Sequence, residues 1–326
     1  MIKNGEIEEV KEHPKESQNM NRYINYLPHH GVIKMGRLTT KCRVVFDGSA
    51  KNSEGISLNS NLLPGPKRQL DIVHLLINFR LHPIALVGDI SRMFYCINLN
   101  EEFRDYYRLL WNEKKDEIPK IYRFKRLTMG TVDSPFLSLS TIHYHLDKTA
   151  KEEPSLKEAC ELIKKHLYVD DLMAAVDSAP EAIKLRKTIS NIFAKMKMKI
   201  QKWTSNSSEL LKTIPKDECA PIEEIKTSKR KPYYEEEGIT FNDPEIVSQT
   251  TKCLGMTWTP REDMFHYKTY ENLVEEKPTK FTKRGISSLI PSIYDPTGLL
   301  QPFIVQGKLI LQSAWTYKDS KVKTLN

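Results

Sequence analysis

Between Tyr23 and about Met198, short apolar runs recur with turn residues between them, the pattern of strands and helices mixed in one domain. Ile84–Asp89 (IALVGD) is a run of buried-strand type that delivers Asp89 at its C-terminal end. His166–Val176 (HLYVDDLMAAV) reads as two short strands meeting at a tight turn, with Asp170 and Asp171 at the tip. Ser178, Pro180 and Glu181 then supply an N-cap, an early proline and a capping-box glutamate. Leu185, Ile189, Ile192, Phe193 and Met196 follow at helical spacing. A further helix is predicted from Pro135 to Leu146, with Leu139, Ile142 and Leu146 on one face. The order is strand, helix, hairpin, helix.

Where the periodicity fails, other regions begin. Residues 1–22 are charged and aperiodic, which predicts a flexible tail. Residues 207–250 are polar and contain KTSKRKPYYEEEG, the composition of a linker or insertion. Apolar patterning returns over 251–326 and fades into KDSKVKTLN, so a truncated chain is expected.

Composition narrows the class. Hydrophobic residues make up 39% and charged residues 28% of the 326, ordinary for a globular protein and too apolar for a disordered one. No apolar run of about 18 residues occurs, so no membrane span is expected. The opening MIKNGEIEEVKEHPKES lacks the apolar stretch of a signal peptide, which predicts a protein that is not secreted. The net charge of +8 favours a polyanionic partner, since each neutralised phosphate releases counterions. Five cysteines lie scattered without C-x-x-C spacing and read as reduced thiols. His29-His30 and His143-x-His145 lack third and fourth ligands at zinc spacing.

The candidate chemistry lies in the acidic residues. Phosphoryl and nucleotidyl transfer require two divalent metals about 3.5–4 Å apart, one at the attacking oxygen and one at the leaving phosphates. Magnesium takes hard oxygen ligands and keeps several waters, so two or three carboxylates suffice. A strand-end aspartate facing a hairpin-tip pair supplies them. Paired aspartates at a turn are by themselves ordinary solvated residues. Here apolar strands flank them, and Asp89, Asp170 and Asp171 fit the metal requirement.

These residues sit in motifs that resemble a known family. Val87–Ile97 (VGDISRMFYCI), Arg126–Thr141 (RLTMGTVDSPFLSLST) and Tyr168–Asp171 (YVDD) resemble the three catalytic motifs of reverse transcriptases. The closer resemblance is to BEL/Pao long-terminal-repeat retrotransposons. It includes YLPHHGVIK, KCRVVFDGSAK, SLNSNLLPGP, QKWTSN, LGMTW and TKRGISSLIPSIYDPTGLLQP.

The resemblance implies an α+β right-hand polymerase with fingers, an antiparallel palm backed by helices, and thumb or connection. Fingers and palm would occupy 23–206, and primer grip, thumb and start of connection 251–326. It implies RNA-directed DNA polymerisation with two Mg²⁺ (Mn²⁺ as an alternative), held by Asp89, Asp170 and Asp171. Lys41, Arg43, Phe94, Met129, Gly130 and Lys202 would face the nucleotide, with the Phe94 ring excluding a ribose 2′-hydroxyl. Met129 departs from the glutamine of retroviral relatives. Ser134, Pro135, Tyr168, Leu254, Gly255, Lys283 and Arg284 would face template and primer. The implied partners are an RNA template, a DNA primer strand and dNTPs. Protease, RNase H and integrase would accompany them in a Pol polyprotein of a cytoplasmic virus-like particle or the nucleus. No RNase H pattern is expected within this chain. Two rivals stand beside this reading: an inactive fragment that only binds nucleic acid, and a Pao-type peptidase. Asp295-Pro-Thr-Gly298 does not support the second, because the proline spoils an Asp-Thr-Gly loop.

Overall fold

The computed structural model describes residues 1–11, 23–33, 42–112, 114, 117–220, 223–225, 248–267 and 282–316. In chain order the elements begin with β1 (Ile7–Glu9), β2 (His29–Ile33), β3 (Cys42–Phe46), α1 (Leu58–Asn61), α2 (Ile72–Asn78) and β4 (Ile84–Ile90). There follow β5 (Arg108–Trp111), β6 (Lys120–Phe124), α3 (Ser134–Glu152), α4 (Lys157–His166), β7 (Leu167–Tyr168) and β8 (Asp171–Val176). Then come α5 (Ala179–Lys195), β9 (Ile200–Ser205), α6 (Ser208–Lys212) and β10 (Glu223–Ile225). The series closes with β11 (Ser248–Cys253), β12 (Met256–Thr259), β13 (Met264–His266), α7 (Lys283–Leu289) and α8 (Gln301–Thr316). Mixed helices and antiparallel strands make the fold α+β, as expected. A four-stranded sheet of order β7-β8-β4-β9 carries the acidic motifs. No described helix is long and apolar enough to cross a membrane.

The chain divides into two compact units, the first comprising Met1–Leu70, Asp89–Leu172 and Lys184–Gln201. In it, β1-β6-β5 form a sheet whose apolar face closes over Ile7, Leu27, Phe46, Leu109 and Tyr122. Phe124 is fully buried there and meets Phe46 edge-on with ring centroids 4.9 Å apart. The β2–β3 hairpin instead leaves Val44 and Val45 exposed. Helix α3 runs six residues past the expected Leu146, because no breaker intervenes before Glu153-Pro154. Its buried face (Leu139, Ile142, Leu146) is the predicted one.

The expected tail is corrected at its beginning. Ile7–Glu9 pairs antiparallel with β6 in the register Ile7↔Phe124, Glu8↔Arg123, Glu9↔Tyr122. The charges that read as a solvated tail are paired. Glu8 bridges to Arg123 at 2.8 Å, with Arg104 and Lys125 beside it. Burial works against the Glu8 charge, but those cations, Arg123 foremost, hold its carboxyl below the usual range. Residues 12–22 lie outside the described ones.

The second unit comprises Asp71–Gly88, Met173–Ile183 and Lys202–Asn326. Its meander β10-β11-β12-β13 packs buried Trp258 edge-on against Phe79, 5.2 Å between centroids. Asp263 accepts from Trp258 Nε1 at 3.0 Å and pairs with Arg80. The linker expected over 207–250 is likewise corrected over its first part. Ser207 caps α6, Leu210 and Ile214 are buried, and Ala220 N donates to the Trp203 carbonyl at 3.0 Å. Its polar composition concealed a short capped helix. Most of the rest, 226–247, lies outside the described residues.

Candidate active site

Asp89 is the penultimate residue of β4, and the N–H of the next residue, Ile90, donates to the Asp170 carbonyl at 2.8 Å. Asp171 opens β8 opposite Tyr168. The three aspartates, all half-buried, thus share one end of two neighbouring strands in the first unit. Between Tyr168 and Asp170 stands Val169 with φ 55°. A β-branched residue at positive φ is an outlier, and strain of this kind gathers at functional sites.

Among the described residues, no three His, Cys, Asp or Glu side chains converge into a metal cage. Burial on strand ends and an all-oxygen donor set still suit Mg²⁺, which completes its shell with waters and substrate phosphates around one or two carboxylates.

Beside the carboxylates, Arg92 (φ 54°) opens a 3₁₀ turn, Met93–Cys96, that carries half-buried Phe94. The chain leaving this turn is zipped to the second motif: Leu99 N donates to the Lys125 carbonyl at 2.9 Å, and Leu127 N to the Ile97 carbonyl at 3.0 Å. Arg126 donates to the Cys96 carbonyl at 3.4 Å, a structural role. The segments of Phe94 and of half-exposed Met129 are thereby tied together.

Other motif residues serve the fold. Gly130 has φ 101°, and a Cβ there would sit 2.1 Å from the Phe46 carbonyl oxygen. Its close approach, expected toward the nucleotide, is to the end of β3. Asn59 holds the same loop, donating to the Gly130 carbonyl at 3.2 Å and accepting from Val132 N at 3.0 Å. Ser134 is corrected as a template contact. It is buried, donates to the Thr128 carbonyl at 2.6 Å and lies 2.7 Å from the Thr131 hydroxyl. Pro135 is half-buried in the first turn of α3. The Tyr107 hydroxyl donates to Asp133 at 3.2 Å; burial first and Asp133 second push that phenol well above its ordinary range. Gln201 Nε2 reaches Ser91 Oγ at 2.5 Å, so the QKWTSN motif braces the residues after Asp89.

Arg43 is exposed on β3, opposite Val32. Lys41 lies outside the described residues. Sequence reasoning missed Lys67 and Arg68, which line a cleft of about 230 Å³ with Gly65, Val132, Pro135 and Phe136. The Arg68 guanidinium lies 5.6 Å over the Phe136 ring. The basic pair beside the PGP turn was the available signal.

In the second unit, Lys202 is half-buried on β9 with φ 57°, where strand alternation breaks as at a bulge. Leu254 (φ 49°) and Gly255 (φ 84°) form the two-residue turn between β11 and β12. Positive φ at both is the type I′ pattern. A Cβ on Gly255 would lie 2.9 Å from the Tyr294 ring, so this glycine answers to the turn and to that ring. Lys283 and Arg284 begin α7, with the Lys283 ammonium 5.4 Å over the Trp315 ring. Asp295 accepts from Leu300 N at 2.8 Å and from Thr297 Oγ1 at 3.2 Å, the work of a local cap.

A family model described as reverse transcriptase (RNA-dependent DNA polymerase) matches residues 37–237. One described as Pao retrotransposon-like RNaseH-like domain matches residues 282–325. The second match corrects the expectation that no RNase H pattern is present; the described part of that stretch forms α7 and α8 and holds one carboxylate, Asp295. No curated protein matches the sequence. Among solved structures, a foamy viral protease–reverse transcriptase in complex with double-stranded DNA aligns over 96% of this chain, at 13% identity and TM-score 0.54. The chain spans 45% of that protein's length, and at this identity the likeness is one of fold. A native prototype foamy virus protease–reverse transcriptase aligns over 56% of this chain and 21% of its own, at 16% identity and TM-score 0.41.

Proposed function

The chain belongs to the reverse transcriptase family, of Pao retrotransposon type, and from that membership we propose that it extends a DNA primer on an RNA or DNA template using dNTPs. The observation that carries the proposal is the bond from Ile90 N to the Asp170 carbonyl, which sets Asp89 and Asp170 side by side within the matched region. Two Mg²⁺ ions (or Mn²⁺), when bound, would acidify the primer 3′-hydroxyl and neutralise the departing pyrophosphate.

In this reading Asp89 and Asp170 are the metal ligands and Asp171 stands by the primer end. Phe94 lies under the sugar and rejects a 2′-hydroxyl, with Met129 and Gly130 bordering the same pocket. Lys41 and Arg43 meet the triphosphate, Arg as a fork and Lys as a point charge. Lys202 is assigned to protonating the leaving pyrophosphate. Pro135, Tyr168, Leu254, Gly255, Lys283 and Arg284 face template and primer, which are held by phosphate and shape because any sequence must be accepted. Residues 251–326 then act as primer grip and thumb. Protease and integrase are its polyprotein companions in a cytoplasmic particle, while the RNaseH-like stretch 282–325 lies within this chain.

Primer extension on poly(rA)/oligo(dT) tests the reading. Wild type should extend with Mg²⁺, and Asp170→Asn should lose extension while still binding duplex. Salt-sensitive binding by wild type without extension would sink the polymerase reading.

A further inference from the structure

Glu6 is 4% exposed, yet its carboxylate does not belong to the cluster that holds β1 down. That strand is already secured by the ladder to β6 and by the ions around Glu8; the Glu6 backbone adds a bond from Lys125 N to its carbonyl at 2.8 Å. The Glu6 side chain instead pairs with Arg92. Its second oxygen is buried with no partner, so the group is desolvated for the sake of that single ion pair.

Arg92 is three residues past Asp89, in a left-handed conformation, at the N-cap of the 3₁₀ turn that carries Phe94. Such a conformation costs about 1–3 kcal/mol and persists only where surroundings impose it. The Arg92 guanidinium also lies 5.3 Å over the Tyr95 ring. The hydroxyl of half-buried Tyr95 is hydrogen-bonded to Thr128, the residue before Met129. A continuous chain of contacts therefore runs from Glu6 through Arg92 and Tyr95 to Thr128, linking the segments that carry Phe94 and Met129.

We propose that Glu6 is a positioning residue for the nucleotide pocket: through Arg92 it fixes the turn that aims the Phe94 ring, and so sets affinity for dNTP and discrimination against rNTP. This rests on the polymerase reading above. It makes the segment Met1–Glu9, which lies before the matched region 37–237, part of the specificity apparatus.

The full chain is compared with Glu6→Gln, which keeps shape and removes charge, in steady-state extension on poly(rA)/oligo(dT) with dTTP or UTP. Glu6→Gln should raise KM for dTTP by roughly threefold or more, change kcat less, and lower dTTP-over-UTP selectivity by a similar factor. In a Phe94→Ala background it should add nothing further to the loss of selectivity, since both act through one ring. Thermal melting is read in parallel. If Glu6→Gln fails to fold, Arg92→Gln, whose head is half-exposed, takes its place with the same readouts. Unchanged KM and selectivity, or selectivity losses that multiply with Phe94→Ala, would overturn the inference while leaving a working polymerase. A wild type that does not extend would overturn the polymerase reading itself, and this inference with it.

Discussion

Ile90 N–H donates to the Asp170 carbonyl at 2.8 Å, and that bond registers β4 against the Val169–Asp170 turn. Because side chains alternate with period two along a strand, a slip by one residue would turn Asp89 to the opposite face. The bond therefore does for the two residues what a covalent tether would do in a small molecule: it fixes the register of Asp89 against Asp170.

Phe94→Ala should open the pocket to ribonucleotides. Steric discrimination of this kind is worth roughly 10- to 200-fold, so the dTTP-over-UTP ratio of kcat/KM should fall within that range. Single-nucleotide extension kinetics measure it, and an unchanged ratio would remove Phe94 from the gate.

Val169→Gly should relieve the positive φ at the hairpin tip. Stability should rise by about 1 kcal/mol, less the added unfolded-state entropy of glycine, while extension falls because the turn no longer holds Asp170 rigidly. Urea unfolding and extension read the two opposed effects. A rise in both would mean that the strain has no catalytic use.

Burial lowers the affinity of His143 and His145 for protons, and for His143 the nearby Arg68 and Lys164 add to the effect. Their folded pKa values thus lie below the unfolded 6.5. Over that window the unfolded chain binds more protons, so stability is full above about pH 6.5 and declines as pH falls through the folded values. The Glu8 carboxyl, held low by Arg123, adds a second decline below its unfolded 4.5. Urea midpoints at pH 7.5 and 5.5 should differ in wild type and converge in a His143→Gln, His145→Gln double variant.

Arg68→Ala should weaken template–primer binding about equally for all sequences. One lost phosphate contact lowers the slope of log K against log salt by about 0.7 to 0.9. Fluorescence anisotropy across a salt series gives the slope, and no change would leave Arg68 as a support for Phe136 alone.

What was legible in the sequence was what periodicity writes down. β4, the β7–β8 hairpin, α3 and α5 stand where apolar spacing and caps put them, and Asp89, Asp170 and Asp171 with them. β1 was hidden because a three-residue strand among charges differs from a tail only through partners such as Arg123, more than a hundred positions away. The packing neighbours of Gly130 and Gly255, Phe46 and Tyr294, were not legible because they come from distant positions in the chain. Glu6 escaped notice for the same reason.

The pairing of β1 with β6 also decides where the protein can be cut for production. A recombinant fragment begun at residue 37, the start of the matched region, would lose both β1 and β2. The outer edge of β6 would then present bare N–H and C=O groups, and Arg123 would lose Glu8. An uncovered edge strand recruits other chains. The boundary of recognisable similarity is therefore a poor boundary for expression; a fragment should keep Ile7–Glu9.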